Sequence, residues 1–238
     1  CEILRNYADV NMGCKRRIAS GLNWVFETVE EAIILEDDCL PHPDFFFYAQ
    51  ECLTRYKDDT RIMHINGSNY QLGWQRDKDY SYYFSKYNSI WGWASWARAW
   101  KHYDVNMKLW PEVKKKKYHF GFTPWKMDAI NREAIFDMAY HKKIDTWDYQ
   151  WSFAILANNG LSIIPNKNLI SNIGFGMEAT HTTKVHSRAN LPTHSINLPI
   201  KHPEFIIQDV KSDTRLYNLH AKRGYIWRLK NWRKIWLS

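Results

Sequence analysis

The sequence predicts an α/β fold: a mostly parallel sheet flanked by helices. Three observations support this prediction: strand-like and helix-like segments alternate up to residue 67, the links between them are short, and a run of acids directly follows one apolar strand. Such alternation favours parallel strands joined by right-handed crossovers. The 238 residues are 45% hydrophobic and 16% aromatic, so the chain can bury a full core in one large domain.

The alternation begins at the amino terminus. A short strand is predicted at 2–4, followed by a helix over 14–29 whose apolar residues fall on one face. The apolar run Ala32–Leu35 predicts a second strand, 42–56 predicts a second helix, and 61–67 predicts a third strand. In a sheet of this kind ligands collect beyond the carboxyl ends of the strands.

The pattern changes after residue 80. Three tryptophans are spaced for a helix face that starts near Ser95. Helices are predicted over 123–143, with Pro124 in the first turn, and over 145–160, with Gly160 at the end. Two short strands follow, at 161–165 and 168–175.

We expect two regions in the chain: a catalytic-type domain over 1–182, and a polar segment with a basic aromatic tail over 183–238. The net charge of +8 is concentrated in Lys114–Lys117 and in 222–238. Such blocks attract phosphate in nucleic acid, nucleotide or anionic lipid, and charge alone does not choose among them. In 222–238 apolar residues recur at helical spacing, which fits either a peripheral membrane contact or a terminal helix packed on its own domain.

The four cysteines predict reduced thiols in a cytoplasmic protein. Cys1, Cys14, Cys39 and Cys52 show no CxxC spacing, which argues against metal binding by cysteine. No run approaches the roughly 18 apolar residues of a spanning helix. We therefore expect a cytoplasmic location, with the tail able to bring the chain to the inner face of the membrane.

Three consecutive acids, Glu36, Asp37 and Asp38, follow the strand Ala32–Leu35. Adjacent carboxylates repel one another and resist burial unless a cation neutralises them. Mn²⁺ and Mg²⁺ favour carboxylate oxygens and keep positions open for water or substrate phosphates. The pattern indicates a divalent cation beside a phosphorylated ligand, and a solvated acidic turn is the alternative.

Four collinear segments resemble the GT-A glycosyltransferases that use nucleotide-diphospho-sugars. The segment 30–46 is similar to their metal-binding DXD-type motif, in the EDD form found in bacterial family 2-like transferases and in the Golgi N-acetylglucosaminyltransferase that begins complex N-glycans. The segments 11–27, 89–100 and 146–182 resemble the preceding helix, the acceptor-side Gly-Trp stretch, and the region of the catalytic aspartate. The resemblance spans 11–182.

This resemblance implies a role for each acid. Asp38 would be the direct metal ligand, Asp37 would face the ribose or the metal shell, and Glu36 would lie near the donor sugar. Asp148 would be the general base that removes the proton of the acceptor hydroxyl, and direct displacement of this type inverts the anomeric centre. On local grounds the alternative for Asp148 is the N-cap of the helix that follows it.

Further candidates line the expected donor site. Trp93 and Trp147 could stack on sugar faces, although tryptophans this numerous are usually core residues. Gly174 and Gly176 suit a lid over the donor. His181 is a candidate second metal ligand, as related folds often supply a late His or Asp, and a surface role is the alternative for a lone histidine.

The expected function is therefore a metal-dependent, inverting transfer of a sugar from a nucleotide diphosphate to a saccharide or lipid-linked saccharide, as in polysaccharide assembly. UDP is the favoured carrier, N-acetylglucosamine is favoured by resemblance only, and no nucleic-acid partner is expected. The first nucleotide-binding strand of the family is expected to be missing upstream of 2–4. The alternatives are a non-catalytic carbohydrate- or nucleotide-binding module and a glycoside hydrolase.

Overall fold

The computed structural model describes residues 2–174 and 190–219 and has an α/β architecture. The helices are α1 (Gly13–Thr28), α2 (Asp44–Tyr56), α3 (Ala97–Trp100), α4 (Trp110–Lys115), a 3-10 helix (Tyr118–Gly121), α5 (Lys126–Tyr140) and α6 (Asp148–Ala157). The strands are β1 (Glu31–Ile34), β2 (Cys39–Pro41), β3 (Ile62–Asn66), β4 (Tyr82–Ser85), β5 (Trp93–Trp96), β6 (Leu161–Pro165) and β7 (Ile170–Asn172). Residues 210–219 are also helical.

The main sheet is mixed, and the expectation of a mostly parallel sheet is wrong. Its strand order is β1-β5-β3-β6-β4, and within 2–174 and 190–219 only β3 and β6 pair in parallel. β5 lies between β1 and β3 and is antiparallel to both, with Trp93 opposite Ile34 on one side and Asn66 on the other. β1, β3 and β6 nevertheless run in the same direction, so their carboxyl ends share one edge of the sheet.

The insertion of β5 has a local cause. The helix expected from Ser95 does not start there, because Trp93–Trp96 is extended and buried in the sheet. Large aromatic side chains favour a pleated, buried surface over a short helix. Only the four residues of α3 are helical, and they follow directly.

Three smaller expectations also differ from the structure. Residues 2–4 form no strand and are exposed. Pro124 precedes the first turn, because α5 begins at Lys126 after the extended Trp125. After α6 it is Asn159, not Gly160, that takes the left-handed conformation, with a φ of 55°. Position 160 has no room for a side chain, because a Cβ there would lie 2.5 Å from the Met63 sulfur.

Three apolar clusters hold the helices on the sheet. One joins α2 to the strands, a second joins α1 and α6 to them, and a third joins α4 and α5 to α6. Trp147, directly before α6, and Trp151 in α6 belong to the second cluster, and Phe153 and Leu156 of α6 belong to the third. Burying each of these side chains contributes roughly 2 kcal/mol, so the helix is fixed on two sides.

A second, two-stranded sheet forms between β2 and β7. Its antiparallel register pairs Cys39 with Asn172, and the Ile173 N–H donates to the Asp38 carbonyl at 2.9 Å. This pairing brings the chain after β7 directly beside the acids that precede β2.

Several predicted features lie outside the described residues: Gly176, His181 and the tail 222–238. The segment 190–219 packs on the β4 edge of the main sheet, where Gln208 forms a β-bridge with Phe84. Across the described part of the chain, no helix combines the length and the apolar character needed to cross a membrane.

Candidate functional site

The acidic residues occupy the connection between β1 and β2. Ile33 and Ile34 favour an extended chain and form the last part of β1. The backbone then turns at Asp37 and Asp38, and the Cys39 N–H donates to the Glu36 carbonyl at 3.0 Å. The three carboxyl groups therefore lie at the shared carboxyl edge of β1, β3 and β6.

Two of these acids form a group with the residue that follows them. One ligand atom from each of Glu36, Asp38 and Cys39 lies within 4.8 Å of the others, a spacing compatible with a shared divalent cation. Burial raises the pKa of the Cys39 thiol to about 12, and the thiol donates to Asp38 Oδ1 at 3.7 Å. Because a protonated thiol is a poor ligand, the carboxylates of Glu36 and Asp38 are the better candidates, and their oxygens suit Mn²⁺ or Mg²⁺.

Gly174 forms the wall opposite Asp38. A Cβ atom at Gly174 would clash with the Asp38 side chain, in particular with Oδ2. The Gly174 N–H donates to Asn172 Oδ1 at 2.9 Å, which fixes the backbone at this close approach. Asp38 and Gly174, for which the sequence predicts separate roles, are therefore adjacent in space, and the glycine leaves room for the carboxylate.

Asp148 is the first residue of α6, and Trp147 rather than Asp148 occupies the N-cap position. The Thr146 hydroxyl donates to Asp148 Oδ1. Burial raises the pKa of Asp148, while hydrogen bonds from Thr146 and from the backbone N–H groups of Asp148 and Tyr149 oppose this effect. The carboxylate is held at a helix amino terminus, where negative charge is favoured.

The acidic turn and Asp148 form one electrostatic site. The pKa of Glu36 is raised to about 7, chiefly by burial and further by the negative charges of Asp38, Asp148 and Asp37, while a hydrogen bond from Trp147 opposes the rise. Residues that are far apart in the sequence are thus close enough to influence one another's protonation. A cation bound here would relieve the repulsion among the carboxylates.

Two residues beside this site carried no signal in the sequence. The pKa of the Cys14 thiol is raised by burial and by the charges of Glu36, Asp145 and Asp148. Burial and the charge of Asp148 also raise the pKa of Tyr103, whose buried hydroxyl has no hydrogen-bond partner among the residues described. A single cysteine and a single tyrosine in otherwise ordinary segments could not be recognised from sequence alone.

Asp145 fastens α1 to the loop before α6. Its Oδ2 accepts the Cys14 N–H at 3.0 Å and would lie 2.7 Å from a Cβ on Gly13. Gly13 takes a φ of +72°, which is inexpensive only for glycine. This contact fixes the start of α1 beside Asp148.

Trp93 and Trp147 are core residues, which corrects their expected role in sugar stacking. Their relative exposures are 0% and 2%. Their rings stack on each other at 5.7 Å between centroids, and His64 stacks on Trp93 at 5.0 Å. No ring face of Trp93 is open to a ligand, while the hydrogen bond to Glu36 links Trp147 to the site by its edge.

No protein-family model matches the chain, and no curated protein matches it, so these comparisons assign no family. The candidate site consists of Glu36, Asp37, Asp38 and Gly174, with Asp148 near enough for its charge to act on Glu36. A function for the chain rests on this arrangement and on the motifs in the sequence.

Proposed function

We propose that the chain is a metal-dependent glycosyltransferase of GT-A type that moves a sugar from a nucleoside diphosphate, with UDP favoured, to a hydroxyl of a saccharide or lipid-linked saccharide. The observation that carries this proposal is the close approach of the Glu36 and Asp38 carboxyl groups in the turn after β1, near enough to Asp148 at the start of α6 for its charge to act on Glu36. The mixed α/β sheet, with the acids at the carboxyl edge of three strands that run in one direction, supports it.

Glu36 and Asp38 would hold Mn²⁺ or Mg²⁺. Their ligand atoms lie close together, and Gly174 leaves the Asp38 carboxylate unobstructed on its own side. When bound, a divalent cation offsets the charge that develops on a departing diphosphate. Asp37 is exposed beside them and can contact the ribose or the water around the cation.

Asp148 would act as the general base. The acceptor oxygen forms a bond with the anomeric carbon, the bond from that carbon to the diphosphate oxygen breaks, and the hydroxyl proton goes to the Asp148 carboxylate. Burial raises the pKa of this carboxylate, which favours proton uptake, and the Thr146 hydroxyl holds it in one orientation. Attack opposite the leaving group inverts the anomeric centre.

One observation favours a second candidate, a glycoside hydrolase. Glu36, with a pKa of about 7, and Asp148 form a pair of carboxyl groups of the kind such enzymes use as acid and base. A hydrolase of that type would work without a metal and would not bind a nucleotide, so the two candidates give opposite results in the same experiment.

The test is calorimetric titration of UDP into the protein with Mn²⁺ and, separately, with EDTA, on the natural sequence and on Asp38→Ala. We expect binding that requires both Mn²⁺ and Asp38. Asp59→Ala, which removes a carboxylate paired with Arg61 far from β1 in sequence, is the matched control and should bind normally. UDP binding that is equally strong in EDTA, or its complete absence with Mn²⁺ present, would contradict the proposal.

Asp148→Asn separates chemistry from binding. Because the amide cannot accept the acceptor proton, transfer from a UDP-sugar should fall by at least about 100-fold, while UDP still binds in the presence of Mn²⁺. Release of UDP measured with a panel of UDP-sugars and acceptors provides the readout. Equal turnover in Asp148→Asn would remove this residue from the chemistry.

A further inference from the structure

We propose that the surface formed by Lys115, Lys116, Lys117, Tyr118 and Phe120 is a docking face for an anionic lipid bilayer. This basic aromatic face lies between α4 and α5 and includes most of the lysine block that the proposed transfer reaction does not use. The inference goes beyond that reaction and does not depend on it, because lipid binding can be measured without turnover.

The aromatic side chains of this face are exposed, although the Phe120 ring also contacts His119 at 4.4 Å between ring centroids. Tyr118 is 63% exposed and Phe120 is 38% exposed, whereas His119 between them is buried. A Cβ atom on Gly121 would meet nothing within 4 Å, so the turn faces open space. Large rings held in the open next to charged residues are typical of side chains that sit at the headgroup level of a membrane.

The positive charge of the face is largely uncompensated. Lys114 is used internally, since its amino group contacts Asp137 and lies 3.5 Å from Glu133. Lys116 pairs with Glu112 at 2.8 Å, but Lys115 and Lys117 make no ion pair with any residue in 2–174 or 190–219. The charges of Lys115 and Lys117, which are unpaired among the residues described, would attract the anionic headgroups of a bilayer to this face.

The face is built on rigid supports. Lys117 takes a left-handed φ of 61° and redirects the chain from α4 into the 3-10 helix. His119 Nε2 lies 2.8 Å from Glu133 Oε2 on α5, and Phe122 meets Phe153 of α6 at 6.3 Å between ring centroids. Because α6 also carries Asp148, the face and the candidate site belong to one packed unit.

A bilayer fits these residues better than a nucleic acid does. The segment 109–130 contains lysines and no arginine, and lysine acts as a point charge where arginine would give bidentate phosphate recognition. On neighbouring α5, Met127 and Ile130 are 46% and 39% exposed and add apolar area. Lysines beside exposed apolar and aromatic side chains match a surface that has both anionic headgroups and hydrocarbon.

The test is co-sedimentation of the full chain with two kinds of vesicle: phosphatidylcholine alone, and equal parts phosphatidylcholine and phosphatidylglycerol. Each lysine near an anionic surface changes partitioning about fivefold. We therefore expect Lys115→Gln with Lys117→Gln to lower the partition coefficient on the anionic vesicles roughly 25-fold. Lys57→Gln with Lys78→Gln removes the same charge from other exposed positions and should leave binding nearly unchanged.

A second variant tests the aromatic part of the face. Tyr118→Ser with Phe120→Ser keeps all the lysines and should still weaken binding about tenfold, because two rings no longer leave water. Circular dichroism checks that each variant is folded. The proposed face is wrong if both face variants bind anionic vesicles as the natural sequence does, which is the result expected if binding depends only on 222–238. It is also wrong if the variants keep vesicle binding and lose binding to RNA.

Discussion

The candidate site requires a residue without a side chain at position 174. The Cα of Gly174 lies so close to Asp38 that a methyl group would clash with the carboxylate. The candidate metal site thus depends on a residue that supplies no ligand atom. It also depends on β7, because the pairing of β2 with β7 sets this approach.

Gly174→Ala should therefore weaken Mn²⁺ binding without unfolding the protein. The new methyl group pushes the Asp38 carboxylate away from Glu36, and we expect the Mn²⁺ dissociation constant to rise at least about tenfold. Manganese binding followed by electron paramagnetic resonance gives the measurement. Gly121→Ala, where the added Cβ meets nothing, is the control and should bind Mn²⁺ normally. Normal affinity in Gly174→Ala would show that this wall does not shape the metal site.

The residues of the site differ in how far the sequence could predict them. Glu36 and Asp38 stand in a motif directly after a strand, and Asp148 stands in a second motif, so their types and order indicated a site. Cys14 and Tyr103 have no pattern of their own and reach the site only through folding. Trp93 resembled a ligand-stacking residue, yet the sheet and its neighbouring rings bury it because a large apolar ring gains most by leaving water.

At the scale of elements, a buried carboxylate is one of the contacts that attach the segment 190–219 to the sheet. Asp213 is fully buried and accepts hydrogen bonds from the Ser85 hydroxyl at 2.5 Å, the Lys86 N–H at 3.0 Å and the Gln208 amide at 2.7 Å. Burial raises the pKa of Asp213, and these hydrogen bonds oppose the rise. The helix over 210–219 is thereby fixed to the carboxyl end of β4.

Asp213→Ala should destabilise the protein by about 3 kcal/mol, because three donors, of which the Ser85 hydroxyl is buried, lose a common acceptor. Urea unfolding followed by tryptophan fluorescence measures the change in the free energy of unfolding. Asp79→Ala, in an exposed loop, is the control and should stay within about 0.5 kcal/mol of the natural sequence. A similarly small effect of Asp213→Ala would mean that the segment 190–219 is held mainly by apolar contacts such as that of Ile196.

Most elements could be predicted from the sequence because their apolar residues keep a clear period. α1, α2 and β3 lie where their patterns indicated. The direction of strand pairing could not be predicted in the same way, because a buried strand has the same apolar pattern whether it pairs in parallel or antiparallel. Trp93–Trp96 shows the difficulty most clearly, because tryptophans at helical spacing form β5. The sheet is mixed because β5 is antiparallel to β1 and β3, and because β4 is antiparallel to β6.

At the scale of the whole molecule, one buried histidine links stability to pH. His64 Nε2 donates to the Ser89 carbonyl at 2.9 Å, and Nδ1 accepts the Trp151 N–H at 3.1 Å. A proton on Nδ1 would face that N–H. Burial accordingly lowers the pKa of His64 from 6.5 to about 4, while hydrogen bonds to Ser89 and Asn66 oppose the decrease.

The contribution of His64 to stability is therefore complete above about pH 6.5 and is lost as the pH falls toward 4. Between these pH values His64 is protonated in the unfolded chain but stays neutral in the folded protein. The difference between its pKa in the unfolded chain, 6.5, and in the folded protein, about 4, corresponds to about 3 kcal/mol. Urea unfolding at pH 7 and pH 4.5 measures the loss. His64→Gln should show a smaller loss between these pH values than the natural sequence, whereas His194→Gln, at an exposed position, should show the same loss.

The position of β5 also sets an order of assembly. β1 carries the acids at its end, and in the described sheet it is hydrogen-bonded to β5 alone, with Glu31 opposite Trp96. During synthesis the acidic turn leaves the ribosome long before its strand can find this partner. The candidate cation site can therefore form only after this pairing, and long-range pairing of this kind is slow because a large loop must close first.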